Sequence, residues 1–318
     1  MNRKLLFNLL KIVVSLGMLT FIFSSLDLPA FLNSIRNADP RWLAAALGVM
    51  LLGVVVRAYR WQILLTAIGV PVPLLQLTAI YFIGFLFNNL LPSGLGGDAI
   101  RMLELRPYAK QGSDSVTSVV VDRFLGLSSL QAIALVALVV DWGSVPVAVA
   151  YFTVVIFIGG LVAGYLLINR PLYLWLQQRV GLFRRLTRIK MIGNLFESFQ
   201  RYPPGALGRS YLVALFFNVT LITMNTFIGL ALGVEASIVQ YAVLVPITSL
   251  VLLIPISFAG LGVREETYRQ LFGQIGVPSE SAVAMSLLVY FFGNICTGLI
   301  GGIIYALRGA RDLVSEKG

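Results

Sequence analysis

The sequence predicts an all-α polytopic membrane protein, with six spans plus two re-entrant broken helices arranged as an inverted repeat. Three observations carry this expectation. The 318-residue chain is 58% hydrophobic and 12% charged, about half the charged fraction of an ordinary soluble domain. Its apolar runs recur at the length of about 20 residues that crosses a bilayer. Two further apolar runs are shorter, and each ends in helix breakers: "FNNLLPSGLGGDAIR" from Phe87 and "LLIPISFAGLGVREE" from Leu252. No stretch of domain length lacks an apolar run, so residues 1–318 read as a single integral membrane domain.

The expected spans are 5–26, 42–65, 119–140, 146–168, 209–232 and 281–307. The first has a basic head like a signal peptide. Its apolar run is too long for an h-region and lacks an A-x-A site, so it reads as a retained span. Orientation follows Lys and Arg. Arg3 and Lys4 precede the first span, Arg308, Arg311 and Lys317 follow the last, and 169–209 holds eight basic residues against Glu197 alone. All three belong in the cytoplasm, facing the anionic inner leaflet of the cytoplasmic membrane. The link 141–145, "DWGSV", has no basic residue and belongs outside.

This orientation constrains the two short runs. Residues 66–118 must enter and leave the membrane from inside, and 238–274 from outside. Segments 74–91 and 238–255 are then re-entrant rather than spanning. Each unit, 42–140 and 209–307, reads as span, broken re-entrant segment, span. In each, the span start and the glycine cluster lie about 50 residues apart, and the opposite orientations make an inverted repeat.

Composition also excludes chemistry. The single Cys296 allows no intramolecular disulfide. With no histidine, there is no Ser-His-Asp triad, Cys-His pair or histidine metal site. No cofactor or metal is expected. The net charge of +10 suits contact with anionic lipid rather than nucleic acid. No G-x-x-x-x-G-K-[ST] loop is present, so transport would be downhill or ion-coupled. Asp98, Glu265 and Glu266 are the candidate proton carriers.

The breaks have a chemical logic. Pro92 and Pro255 lack an N–H and interrupt a helix. Gly94, Gly96, Gly97, Gly260 and Gly262 permit positive φ and close backbone approach. Helices restarting at Gly97-Asp98 and Val263-Arg264 would aim free N–H groups and a positive dipole end into a cavity. With Arg101 and Arg264 beside them, they form an anion cradle suited to phosphate. Two readings of these arginines stand: ligand contact, or structural pairing with Asp98, Glu265 or Glu266. Asp98 also suits a helix cap. Asn88 and Asn89 are placed to bond freed backbone or a headgroup, and Ser93 and Ser257 to serve the turns. Asp122 or Arg123 is expected to face the bundle interior, because lipid exposure is costly. Arg57 and Arg60 are expected to snorkel to the inner interface, with a gate or headgroup contact as the second reading. Asn218, Asn225 and Asn294 read as interhelical bonds. In 169–208, Leu182, Phe183, Leu186, Ile189, Leu195, Phe196 and Phe199 recur at helical spacing. They predict a cytoplasmic amphipathic helix on the inner leaflet, or packed against the bundle.

"NNLLPSGLGGDAIR", "SVVVDRFLG" and "PISFAGLGVREE" together resemble the transmembrane-region family of lysylphosphatidylglycerol synthases, which includes the flippase domain of the multiple peptide resistance factor. The resemblance covers roughly residues 5–307. It implies a multi-span lipid translocase, and it marks Asn89, Pro92, Gly96, Gly97, Asp98, Arg101, Asp122, Arg123, Pro255, Gly260, Gly262, Arg264 and Glu265 as positions of the family pattern. The sequence stops soon after the last apolar run, without the soluble aminoacyl-transfer domain of fused members. Synthesis of lysyl-lipid is therefore not carried over, and a separate lipid-modifying enzyme is a possible partner. The leading expectation is a translocase for an anionic or aminoacylated phospholipid, or a lipid-linked phosphate. The second is a membrane-embedded transferase or its accessory, acting on lipid-linked sugar or aminoacyl lipid. The third is a transporter of a small soluble anion.

Overall fold

The computed structural model describes residues 3–91, 96–109, 112–187, 190–254 and 256–315. Every regular element among them is helical. In chain order these are α1 (Arg3–Ser25), α2 (Leu28–Arg36), α3 (Pro40–Ala67), α4 (Leu74–Leu90), α5 (Gly96–Leu105), α6 (Gly112–Val140) and α7 (Val147–Ile168). Three short helices follow, α8 (Arg170–Arg179), α9 (Gly181–Thr187) and α10 (Lys190–Gln200). The remainder are α11 (Pro204–Ala231), α12 (Ile238–Val251), α13 (Val263–Gly273), α14 (Ser279–Tyr290) and α15 (Thr297–Ser315). Pro92, Ser93, Gly94, Arg188, Ile189 and Pro255 lie outside the described residues, as do the side chains of Leu182, Leu186 and Leu195.

Five helices are long and apolar enough to cross a membrane: α3, α6, α7, α11, and the continuous run of α14 and α15 through a π-helical turn at Phe291–Cys296. The count becomes six if the bent pair formed by the end of α1 and α2, which meet at 94°, is a single broken span. Local chemistry sets that bend. Asp27 caps α2 by accepting the Ala30 N–H at 3.1 Å, and proline follows in the first turn. Asp39 caps α3 in the same way, through the Arg41 N–H at 2.8 Å. The faces of α7 that carry Tyr151, Val155, Ile158 and Val162 are exposed, which suits lipid rather than water. The protein is a multi-pass membrane protein.

Each broken stretch is a helical hairpin. In the first, α5 folds back along α4, and a Cβ added to Gly97 would lie 2.6 Å from the Gly84 carbonyl oxygen. Only glycine lets the two backbones approach that closely. In the second, Tyr241 near the start of α12 meets Phe272 near the end of α13, with ring centroids 5.5 Å apart. α3 and α11 share the most extensive contact in the bundle. The hairpins then pack crosswise: α4 lies on α15, and α12 lies on α6.

Two expectations change. α6 begins seven residues before the expected start at 119 (119 − 112). Hydropathy misses this turn because it is polar, and two of its hydroxyls bond across the bundle: Trp61 donates to Ser118 at 3.1 Å, and Ser198 bonds Thr117 at 3.3 Å. In the segment 169–208, expected to be amphipathic, extended backbone at Val180 separates α8 from α9, and α9 and α10 flank residues 188–189, which lie outside the described residues. The segment's aromatic residues find protein partners. Tyr173 stacks on Phe196 at 3.5 Å, and Phe199 meets Phe124 of α6 at 5.1 Å.

Candidate functional site

The first hairpin carries a buried ionic network. Asp122 of α6 is its hub. It accepts from Arg60 of α3 at 2.6 Å, from Arg101 of α5 at 3.0 Å and from the Tyr81 hydroxyl of α4 at 2.9 Å. Arg101 also reaches Asp98 at 3.2 Å, and Arg123 pairs with the other oxygen of Asp98. The Arg101 guanidinium lies against Trp61 and Tyr81, at 4.3 and 4.0 Å from the ring centroids. Gly126 makes room for Arg60: a Cβ there would lie 2.8 Å from Arg60 Nη1. This network fastens the restarted helix α5 to α3, α4 and α6. Asp122 is the member of the Asp122-Arg123 pair that faces inward, at 1% side-chain exposure against 39% for Arg123.

The second hairpin turns on strained backbone. Ala259, Gly260 and Gly262 have φ of 50°, 78° and 83°, the left-handed region that costs an alanine about 1–2 kcal/mol. A Cβ at Gly262 would lie 2.6 Å from Met18 Cβ of α1, and Ser15 of α1 accepts the Phe258 N–H at 2.8 Å. Glu265 is fully buried. It accepts the Gly262 N–H at 2.6 Å and the Ser286 hydroxyl at 3.3 Å. Arg264 donates to the Ala259 carbonyl at 2.9 Å and lies 4.3 Å from the Tyr290 ring centroid.

Between the hairpins is a cavity of about 300 Å³, lined from both halves by Arg57, Phe85, Phe217, Asn225, Thr248 and Arg264, among others. Arg57 of α3 contacts three aromatic faces, Phe217 at 5.0 Å, Tyr81 at 5.1 Å and Phe85 at 5.6 Å. Its Nε and Arg264 Nη1 are both buried with no hydrogen-bond partner among the described residues. Arg60 Nη1 and Arg101 Nε are unpartnered in the same way; what sets Arg57 and Arg264 apart is that both line the cavity while neither forms an ion pair among the described residues, whereas Asp122 holds Arg60 and Arg101.

This arrangement differs from the expected cradle. Arg264 lines the cavity, but Arg101 does not, because Asp122 and Asp98 hold it in the network. Asp98, Asp122, Arg123, Gly96, Gly97, Gly260, Gly262 and Glu265 do not line it either. Asn89 bridges the halves: its amide donates to the Asn294 carbonyl at 2.7 Å and accepts from the Tyr290 hydroxyl at 3.4 Å. Asn88 bonds freed backbone as expected, accepting the Gly97 N–H at 2.6 Å. Asn218 joins α11 to Ser129 of α6 at 2.8 Å, while Asn225 accepts from Tyr268 at 2.5 Å and also lines the cavity. Ser93 lies outside the described residues.

Arg57 and Arg60 do not snorkel. Arg57 lies only three to four residues past the middle of α3, about 5 Å along the axis, far from either end of the helix. That position is the signal that identifies Arg57 from sequence, once the whole length of the helix is known.

The family described as the lysylphosphatidylglycerol synthase transmembrane region matches residues 8–301. The chain belongs to this family. A relative in the same class is a UPF0104 membrane protein of Pyrococcus horikoshii, 24% identical over 311 residues that cover 88% of this chain and 91% of that protein. The lysylphosphatidylglycerol synthase transmembrane-region match spans both hairpins, α3, α6, α7 and α11, and both cavity arginines.

Proposed function

We propose that the protein is a lipid translocase whose substrate headgroup occupies the cavity between the two hairpins. The observation that carries this reading is the pair Arg57 and Arg264, each contributed by a different half, both lining the cavity and neither in an ion pair among the described residues, whereas Arg60 and Arg101 are held by Asp122. Buried charge in a membrane protein is costly and marks substrate paths. A guanidinium with free donors suits a phosphate or carboxylate. The family supports a lipid-handling membrane role. The crosswise packing of α4 on α15 and α12 on α6 is what two inverted units around a central site produce. The headgroup would pass between hairpins while the tails stay in the bilayer, and the halves would rock for alternating access. The proposed setting is the cytoplasmic membrane, with both termini in the cytoplasm.

A transferase would need a free acid or base in the cavity. Asp122 and Glu265, the fully buried carboxylates, are both committed to bonds within the protein. The geometry therefore favours translocation.

The test is purified protein in phosphatidylcholine vesicles carrying a trace of fluorescent acyl-labelled phosphatidylglycerol or phosphatidic acid, with a membrane-impermeant quencher. Wild-type protein is expected to expose nearly all label within the assay, and Arg57→Ala with Arg264→Ala to expose only the outer leaflet. Equal, slow exposure of both lipids in both proteins would sink the translocase reading.

A further inference from the structure

The charge inventory around the cavity says more than that an anion binds. We propose that the cavity selects a headgroup carrying a phosphomonoester, with two negative charges and no cation, and rejects zwitterionic and aminoacylated headgroups. The proposal rests on the cavity being the headgroup site described above.

The two charged side chains lining the cavity, Arg57 and Arg264, are both positive, and no carboxylate lines it among the described residues. The acids nearby are already committed. Asp122 holds Arg60 and Arg101, Asp98 holds Arg101 and Arg123, Glu265 holds the Gly262 N–H and Ser286, and Glu266 holds Arg269 at 2.8 Å. A headgroup ammonium would find no acid free to meet it.

Aromatic faces could in principle bind an ammonium. Here they are occupied from within. Phe85, Phe217 and Tyr81 face Arg57, and Tyr290 faces Arg264. Of the rings that line the cavity, Phe85 and Phe217 face Arg57, and Tyr268 stacks on Phe272. An incoming lysyl or ethanolamine group would then meet two like charges in a medium of low dielectric, where repulsion is strong.

The favourable side has the same arithmetic. Arg57 Nε and Arg264 Nη1 each lack an acceptor. A phosphodiester brings one charge to two guanidinium groups. A phosphomonoester brings about 1.5–2 charges at neutral pH and three strong acceptor oxygens, enough to answer both. Thr248 and Thr297 donate to Leu244 and Gly293 at 3.0 and 2.8 Å, so their hydroxyl oxygens remain able to accept from a substrate hydroxyl.

The experiment has a binding arm and a transport arm. In the first, purified full-length protein in neutral detergent is titrated with dioctanoyl phosphatidic acid, phosphatidylglycerol, phosphatidylethanolamine and lysylphosphatidylglycerol, and affinity is read from intrinsic fluorescence. Phosphatidic acid is expected to bind at least about tenfold tighter than the last two, and inorganic phosphate to displace it. Arg57→Gln and Arg264→Gln are each expected to erase the headgroup preference, and Arg57→Lys to keep part of it. Melting temperature identifies any variant that fails to fold. Equal affinity for lysylphosphatidylglycerol, a preference that survives in both glutamine variants, or no competition by phosphate would each overturn the proposal.

The transport arm uses the same four headgroups as fluorescent acyl-labelled lipids in phosphatidylcholine vesicles. If the preference holds in binding but no lipid crosses faster than in protein-free vesicles, the selectivity stands and the translocase reading falls. If lysylphosphatidylglycerol crosses and the arginine variants stop it, the translocase stands and the selectivity falls. Entry of labelled inorganic phosphate without lipid movement would support the same dianion chemistry and assign it to a soluble source.

Discussion

Arg57 and Arg60 lie one helical turn apart on α3, yet they have different roles because their partners differ. Arg60 meets Asp122 at 2.6 Å, whereas Arg57 meets only ring faces and the cavity. Nothing in the local sequence separates them, since the carboxylate that claims Arg60 is 62 positions away. Asp122→Asn removes the charge that both Arg60 and Arg101 answer. Leaving buried guanidinium groups uncompensated costs about 3–5 kcal/mol. A large fall in melting temperature is therefore expected, and an unchanged melt would contradict the hub assignment. Gly262→Ala is expected to lose about 1–2 kcal/mol from positive φ alone, with further loss from contact with Met18. Gly273→Ala, where an added Cβ meets nothing within 4 Å, is the matched control and should melt within about 0.5 kcal/mol of wild type.

The hairpins are the elements that sequence described best. Proline and glycine at the ends of two short apolar runs require a broken helix, and buried backbone at membrane depth requires that the break be enclosed by protein. The segment 169–208 was less legible. Helical spacing of apolar residues looks the same whether the face meets lipid or protein. The structure gives three short helices whose rings lie on α6 and on one another. Phe199→Ala is accordingly expected to cost about 3–5 kcal/mol, the range for truncating a buried aromatic ring. Trp175→Ala, at an exposed position on α8, should fall within about 0.5 kcal/mol. If thermal melting ranks the two the other way round, the segment is held by the membrane surface instead.

For the whole molecule, the expected orientation makes a direct prediction. In a Cys296→Ala background, Ser144→Cys should react with an impermeant thiol reagent added to intact cells, and Gln178→Cys should react only after lysis. The reverse pattern would invert the proposed topology. The translocation assay belongs to this scale too, because a site shared by two halves acts only when both are assembled around it.

Membership of a multi-span membrane family, the long helices and the two breaks follow from the sequence alone, because they depend on hydropathy and on backbone rules that act within a few residues. Part of the candidate site followed as well: Arg264 by its place at the restart of α13, and Asn88 by its distance from the first break. Which arginine partners Arg264 was decided only by tertiary structure. Arg101 had the expected position, but Asp122 and Asp98 neutralise it. Arg57 was expected to snorkel, but it lies near the middle of α3, lines the cavity and forms no ion pair among the described residues. Charge compensation is a pairwise matter across distant helices, and the helices had to meet before Arg57 and Arg264 were the arginines left on the cavity without a carboxylate.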